Sequence, residues 1–154
     1  MPRTARSAAA VTLAASLALT GAALTAPAAH AAPKIDGFAN TMHRDGSRTI
    51  TVRLDGKVGG KVTWNADKHS TGNNRNGDTV YITDSAGDGY YIRAEVIVAG
   101  TGKSVVNHTS RGHKAPVTVS KGKNIAENTK LKFRACMGKG GYIHGCTKLY
   151  DAKS

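Results

Sequence analysis

The sequence has 154 residues, of which 22 are Lys or Arg, 10 are Asp or Glu, and only 5% are aromatic. This length accommodates one domain with a modest core, and two cysteines are too few for a zinc site of recognisable spacing. The formal net charge of +12 favours anionic partners, namely nucleic acid, cell-wall polymers, lipid headgroups or an acidic protein. Charge alone does not choose among them, and a general contribution to solubility is the alternative.

The first 31 residues have the features of a secretory signal peptide. Arg3 and Arg6 give a basic start, an apolar run follows at 8–24, and 29–31 (Ala-His-Ala) fits a small-x-small cleavage site. The run is shorter than the roughly 20 residues that a membrane-spanning helix needs. We therefore predict a secreted, extracellular protein without a membrane span, its mature chain beginning at Ala32 with a net charge of +10. An uncleaved N-terminal anchor is the alternative.

The mature chain divides into a short N-terminal segment and one domain. Residues 32–46 lack a sustained hydrophobic period and are predicted to form an extended lead-in to a single β domain at 47–154. Residues 48–54 alternate between apolar and polar side chains, which predicts a strand. A turn at 55–60, with three glycines, leads to a second predicted strand at 61–65, and together they give the clearest hairpin signal in this half of the chain.

The rest of the domain alternates short apolar stretches with turns. Residues 66–78 are rich in Asn, Asp and Gly and are predicted to be a loop, and strands are predicted at 79–83, 90–99, 103–109 and 115–120. Residues 84–89 are interpreted as a turn, because they lack the alternating oxygen ligands and closing Glu of a calcium loop. Seven or eight short strands without a convincing helix after the signal peptide predict an all-β fold. We expect a small antiparallel β-sandwich, Ig-like or similar, with a partly open barrel as the alternative.

The only two cysteines flank a glycine-rich turn near the C-terminus. In an exported chain they predict one disulfide, Cys136–Cys146, closing a β-hairpin. The hairpin tip carries Lys139, Tyr142 and His144, which are candidate binding residues: the aromatic ring could stack on a sugar or base, and the lysine could meet an anion. A loop clamped at its base loses less entropy when it binds a partner. An ordinary solvated hairpin tip is the alternative.

Facing cysteines would also set the register of the flanking strands. Paired positions step together along antiparallel strands, which predicts three facing pairs: Arg134 with Lys148, Phe133 with Leu149, and Lys132 with Tyr150. Side chains alternate between faces, so Leu149 is expected to point to the core, and the three cations to the outer face. Lys132, Arg134 and Lys148 are therefore further candidate binding residues, on a face that is either solvated or open to an anion.

The sequence offers little catalytic chemistry. It has no H-E-x-x-H array, nucleophile elbow or phosphate-binding loop, and we predict no metal site, no cofactor and no catalytic residue. The mature histidines are His43, His69, His108, His113 and His144. The enzyme that remains as a rival is a small secreted ribonuclease, which needs a general base, a general acid and cations. Glu95 and Arg93 with His144 or His113 are the residues that could supply them.

Two short segments carry a resemblance to a known group. The signal peptide, Phe133-Arg134-Ala135-Cys136 and Cys146-Thr147 resemble small secreted β proteins of actinobacteria, and within that group the adaptor subunit of umbrella toxin particles, which joins a lectin to a large toxin stalk. The resemblance covers about twenty residues and the signal. It implies a non-enzymatic linker that acts against competing bacteria by assembly, with no functional residue carried over.

These observations predict a secreted protein that acts by binding. Its first predicted role is an adaptor for a larger secreted protein, for which the lead-in or an unpaired sheet edge could accept a strand from the partner. Binding of an anionic cell-surface polymer is the second, and the ribonuclease is the third. Nucleic acid is a possible partner but is not favoured, because the few aromatic residues do not interleave with the basic ones.

Overall fold

The computed structural model describes residues 33–40, 42–68 and 76–154. The predicted signal peptide at 1–31 with its cleavage site lies outside these ranges, as do His69 and most of the segment 66–78 that was predicted to be a loop. In the described residues the chain forms two antiparallel β-sheets, so the predicted all-β sandwich is confirmed. No helix in these residues is long and apolar enough to cross a bilayer.

The first sheet has the strand order β1-β2-β3-β4-β7. Its strands are β1 Ile35–Ala39, β2 Arg48–Leu54, β3 Lys57–Asn65, β4 Thr79–Asp84 and β7 Val117–Gly122. The second sheet has the order β10-β8-β5-β6, and β9 also pairs with β8. Its strands are β5 Tyr91–Val98, β6 Ser104–Thr109, β8 Lys130–Lys139, β9 Tyr142–Cys146 and β10 Tyr150–Lys153.

The core lies between the two sheets and follows the alternation of the strands. Inward positions of β2, β3 and β4 supply Ile50, Val52, Val62, Trp64, Val80 and Ile82, all fully buried. Alternate positions of β5, β6 and β8 cover them with Ile92, Ala94, Val96, Val106, Leu131, Phe133, Ala135 and Met137. Burying large apolar side chains on both inner faces is what stabilises a sandwich of this size.

The turn of the first hairpin is shorter than the turn predicted at 55–60. Asp55 and Gly56 both have positive φ, 48° and 80°, as a two-residue type I′ turn requires. Strand β3 therefore begins at Lys57, four residues before the predicted strand. A bulge between Val52 and Arg53 accommodates one extra residue of β3, Gly59.

The predicted lead-in contains a strand that the sequence did not indicate. Residues Ile35–Ala39 form β1 at the edge of the first sheet, in register with β2 from Ile35 opposite Leu54 to Ala39 opposite Ile50. Gly37 lets β1 approach the C-terminal segment closely, because a Cβ there would lie 2.5 Å from Cγ2 of Thr147. Residues 35–39 are thus already a paired strand of the protein.

Candidate binding surface

The C-terminal hairpin has the predicted disulfide. Cys136 and Cys146 face each other across β8 and β9 and are joined by an S–S bond of 2.02 Å. Gly140 and Gly141 form the tip with φ values of 60° and 98°, a region that glycine adopts readily. The disulfide and the tight tip together hold the segment between them in one arrangement.

Beyond the disulfide, the predicted register is wrong by one residue. Tyr150 pairs with Phe133, whereas the sequence predicted Leu149 there. The cause is the irregular segment 147–149: Thr147 donates its N–H to the Ala135 carbonyl and accepts the Ala135 N–H at its hydroxyl, at 2.8 and 3.2 Å. Because a one-residue slip reverses which face a side chain occupies, Tyr150 is buried and Leu149 is 46% exposed.

This slip separates the cations that were predicted to face each other. Lys132 forms an ion pair with Asp151 at 2.6 Å, and Arg134 forms one with Glu95 of β5 at 2.8 Å. Nε and Nη2 of Arg134 both donate to the same carboxylate oxygen of Glu95. The ammonium of Lys148 lies 5.3 Å from the centre of the Tyr150 ring. Lys132 and Arg134 therefore each have a carboxylate partner within the protein, and Lys148 lies near an aromatic ring.

The three tip residues, in contrast, come together with two tyrosines at the start of β5. Nζ of Lys139 lies 4.8 Å from the centre of the Tyr90 ring, and the ring of His144 meets the same tyrosine edge-on at 5.6 Å. The hydroxyl of Tyr91 donates to the Tyr142 carbonyl at 3.4 Å. The side chain of Tyr142 itself is 79% exposed, so its ring is available to a partner.

Arg111, from the loop between β6 and β7, completes this arrangement. Its guanidinium carbon lies 5.9 Å from the centre of the Tyr91 ring, within the range of a cation–π contact. Its Nη2 would lie 3.2 Å from a Cβ at Gly141, so the hairpin tip and the arginine are close neighbours. We call the set the end surface, defined by Tyr90, Tyr91, Arg111, Lys139, Tyr142 and His144.

Two adjoining clefts open at the end surface. The larger, of about 420 Å³, lies between the loops that contain Gly87, Gly112 and Gly140. The smaller, of about 230 Å³, extends from there along β6 to His108 and Ile143. Both are lined by Tyr91, Arg111 and Gly141, so the two clefts adjoin at these residues, and we refer to them together as the groove.

A buried carboxylate anchors the loop that carries Arg111. Asp84 is 4% exposed and accepts a hydrogen bond of 2.7 Å from the hydroxyl of Ser110. Ser110 in turn accepts the N–H of Ile92 and donates its own N–H to the Ile92 carbonyl, both at 2.9 Å. Burial raises the pKa of Asp84, although the bond from Ser110 opposes that shift. This network fixes the start of the loop to β5, directly beside Tyr91.

Among the described residues, no hydrogen bond joins Glu95, Arg93, His144 and His113, the residues that could supply a ribonuclease site. Glu95 is in the ion pair with Arg134, and Nε of Arg93 donates to the Asn107 side chain at 2.8 Å. His144 packs on Tyr90, and His113 lies in the loop that follows β6. Within 33–40, 42–68 and 76–154, no group of three or more His, Cys, Asp or Glu side chains lies together as a metal site would require.

Sequence reasoning selected the tip residues but missed Arg111, Tyr90 and Tyr91 as their partners. The loop sequence at 110–114 (Ser-Arg-Gly-His-Lys) is basic, and alternation along the predicted strand at 90–99 places Tyr91 on the face opposite to Ile92. Nothing in the sequence indicated that this loop and the hairpin tip meet, because about thirty residues separate them and only the sandwich brings them to the same end.

Comparison with known proteins gives no further guidance. No family model matches the sequence, and no curated protein or solved structure matches it significantly.

Proposed function

We propose that this protein is a secreted, non-catalytic binding module that acts as an adaptor in an extracellular complex, and that it engages a larger secreted protein through the end surface. The observation that supports this is the clamped hairpin tip, on which Tyr142 and Ile143 are 79% and 41% exposed beside the cations Lys139 and Arg111. Aromatic residues and arginine are enriched at protein interfaces. The umbrella-particle resemblance is the reason for expecting an antibacterial toxin complex.

A pull-down from native culture supernatant tests the proposal. The bait is the protein purified from the medium of a secreting host, used at moderate salt, and the retained proteins are identified by mass spectrometry. We expect a stoichiometric secreted partner whose retention falls at least about fivefold with Tyr142→Ser. The matched control is Lys103→Gln, an exposed cation in the turn between β5 and β6 at the other end of the sheet, which should retain the partner.

Binding of an anionic cell-surface polymer is the second candidate. The observation that favours it is the excess of cations over acids around the end surface. Retention of the protein on cell-wall material that is lost at high salt, without any stoichiometric protein partner, would favour the polymer over the adaptor role.

A ribonuclease is the least supported of the three roles. Its best general base, Glu95, is held by Arg134, and no histidine of the described residues forms a hydrogen bond with Glu95. We expect the purified protein to degrade RNA no faster than its Glu95→Gln variant. A rate that is clearly higher for the unmodified protein would contradict the non-catalytic role.

A further inference from the structure

The groove at the end surface has the features of a site for one kind of ligand. We propose that it binds an extended acidic peptide segment of the partner protein, with carboxylates of that segment paired to Arg111. This inference rests on the proposed adaptor function and adds the chemistry of the contact. Three observations support it: the two adjoining clefts, the lack of a carboxylate partner for the cations, and the cations that already lie over the Tyr90 and Tyr91 rings.

Two adjoining clefts offer a ligand contacts in more than one place. The clefts of about 420 and 230 Å³ share Tyr91, Arg111 and Gly141 and therefore lie next to each other. An extended peptide rises about 3.3 Å per residue and presents alternate side chains to one side, so several of its residues would lie along such a groove. The exposed side chain of Ile143 gives an apolar contact at one end of it.

The cations along the groove are not neutralised by the protein itself. Arg93, Arg111 and Lys114 line it, and Lys139 stands beside it over the Tyr90 ring. Across 33–40, 42–68 and 76–154 the ion pairs are those of Lys132 and Arg134, so none of these four cations has a carboxylate partner there.

Two acids lie near the groove and are already engaged. The carboxylate of Asp84 accepts the Ser110 hydroxyl, and that of Asp88 accepts the Tyr90 N–H at 2.9 Å. Four cations against two acids leave the groove positive. The guanidinium of Arg111, steadied over Tyr91, can donate two parallel hydrogen bonds to one carboxylate.

The tyrosines favour a peptide over a sugar polymer. A sugar ring binds by stacking on a free aromatic face, but Lys139 lies over the Tyr90 ring and Arg111 over the Tyr91 ring. These two rings therefore hold cations in place. The groove offers a ligand positive charge and hydrogen-bond donors, and fewer free aromatic faces for stacking. Tyr142, with its exposed ring, stands at the rim.

A peptide titration tests this chemistry. The probe is a fluorescein-labelled peptide of about ten residues, about 33 Å long when extended, that alternates Glu and Ser. Its neutral counterpart alternates Gln and Ser. Fluorescence anisotropy with the full protein from culture medium should show binding of the Glu peptide that weakens at least about fivefold with Arg111→Gln. Arg111→Lys keeps the charge but loses the paired N–H donors of the guanidinium, so its affinity should lie between those of the unmodified protein and Arg111→Gln. Lys103→Gln should change the affinity less than about twofold.

The outcomes separate this inference from the adaptor function. Equal binding of the Gln peptide, or an Arg111→Gln variant that binds as the unmodified protein does, would overturn it. If poly(glycerol phosphate) displaced the labelled Glu peptide at lower concentration than the unlabelled Glu peptide does, and only with Arg111 present, a phosphate polymer would be the ligand. That result would also overturn the inference. If a partner is captured in the pull-down but the Glu peptide does not displace it, the adaptor role stands and the acidic segment is wrong. If the Glu peptide binds as expected but no partner is captured, the groove chemistry stands and the adaptor role falls.

Discussion

Gly138 offers a direct test of how the end surface is built. A Cβ on this residue would overlap Cζ and Oη of Tyr91 and would lie 2.5 Å from the carbonyl oxygen of Tyr142, and real Cβ atoms do not approach heavy atoms so closely. Gly138→Ala must therefore displace the Tyr91 ring, which also supports Arg111. Inserting a methyl group into a packed site typically costs about 1–3 kcal/mol. At about 4 °C per kcal/mol for a domain of this size, Tm should fall by about 4–12 °C.

Thermal unfolding followed by circular dichroism measures this change, and the acidic-peptide titration shows whether Arg111 is displaced with the ring. The matched control is Gly87→Ala, because a Cβ there meets nothing within 4 Å and should change Tm by no more than about 2 °C. If Gly138→Ala unfolded at the same temperature as the unmodified protein, the close packing of Tyr91 on the hairpin would be refuted.

Three further predictions concern stability. Burial raises the pKa of Asp84 above its ordinary value of 3.8, so the folded protein binds that proton more tightly, and stability falls as pH rises from there through the raised pKa. Asp84→Asn should flatten this decline, measured as urea unfolding over a series of pH values. An unchanged slope would contradict the assignment. Tyr150→Phe removes a hydroxyl that donates to a backbone carbonyl of β1 and should lower the free energy of unfolding by about 0.5–1.5 kcal/mol. Leu149→Ser, at the exposed neighbour, should change it by less than about 0.5 kcal/mol. A larger loss with Leu149→Ser than with Tyr150→Phe would support the register predicted from the cysteines. Replacing Cys136 and Cys146 together by Ala opens a loop of sequence separation 10. On the chain-entropy account, the free energy of unfolding should fall by about 2–3 kcal/mol, as measured by denaturant unfolding of the double variant. A loss below about 1 kcal/mol would contradict this account.

The strands that the sequence located well are those in which the core requires strict alternation. β2 runs from Arg48 to Leu54 as predicted, because Ile50 and Val52 must be buried while the residues between them face outward. The same alternation identified β5 to within one residue at each end. The pairing of the two cysteines followed from their number and from the expected compartment.

β1 could not be found in this way. Its residues Ile35–Ala39 are half-buried or exposed, since it is an edge strand with only β2 as a partner, and an edge strand carries a weak alternation. What secures it comes from the other end of the chain: the Tyr150 hydroxyl donates to the Gly37 carbonyl. A contact across more than a hundred positions leaves no local signal in the sequence.

The sequence by itself therefore determined the fold class, the disulfide and the positive charge, because these depend on residue type, spacing and count. The tertiary structure alone decided which charges remain open to a partner. Arg134 finds Glu95 on the adjacent strand β5, while Arg111 reaches Tyr91 across the end of the sandwich and no carboxylate. Ion pairing acts over a few ångströms. Strand order and register decide which side chains come that close, and both depend on residues that are distant from each other along the chain.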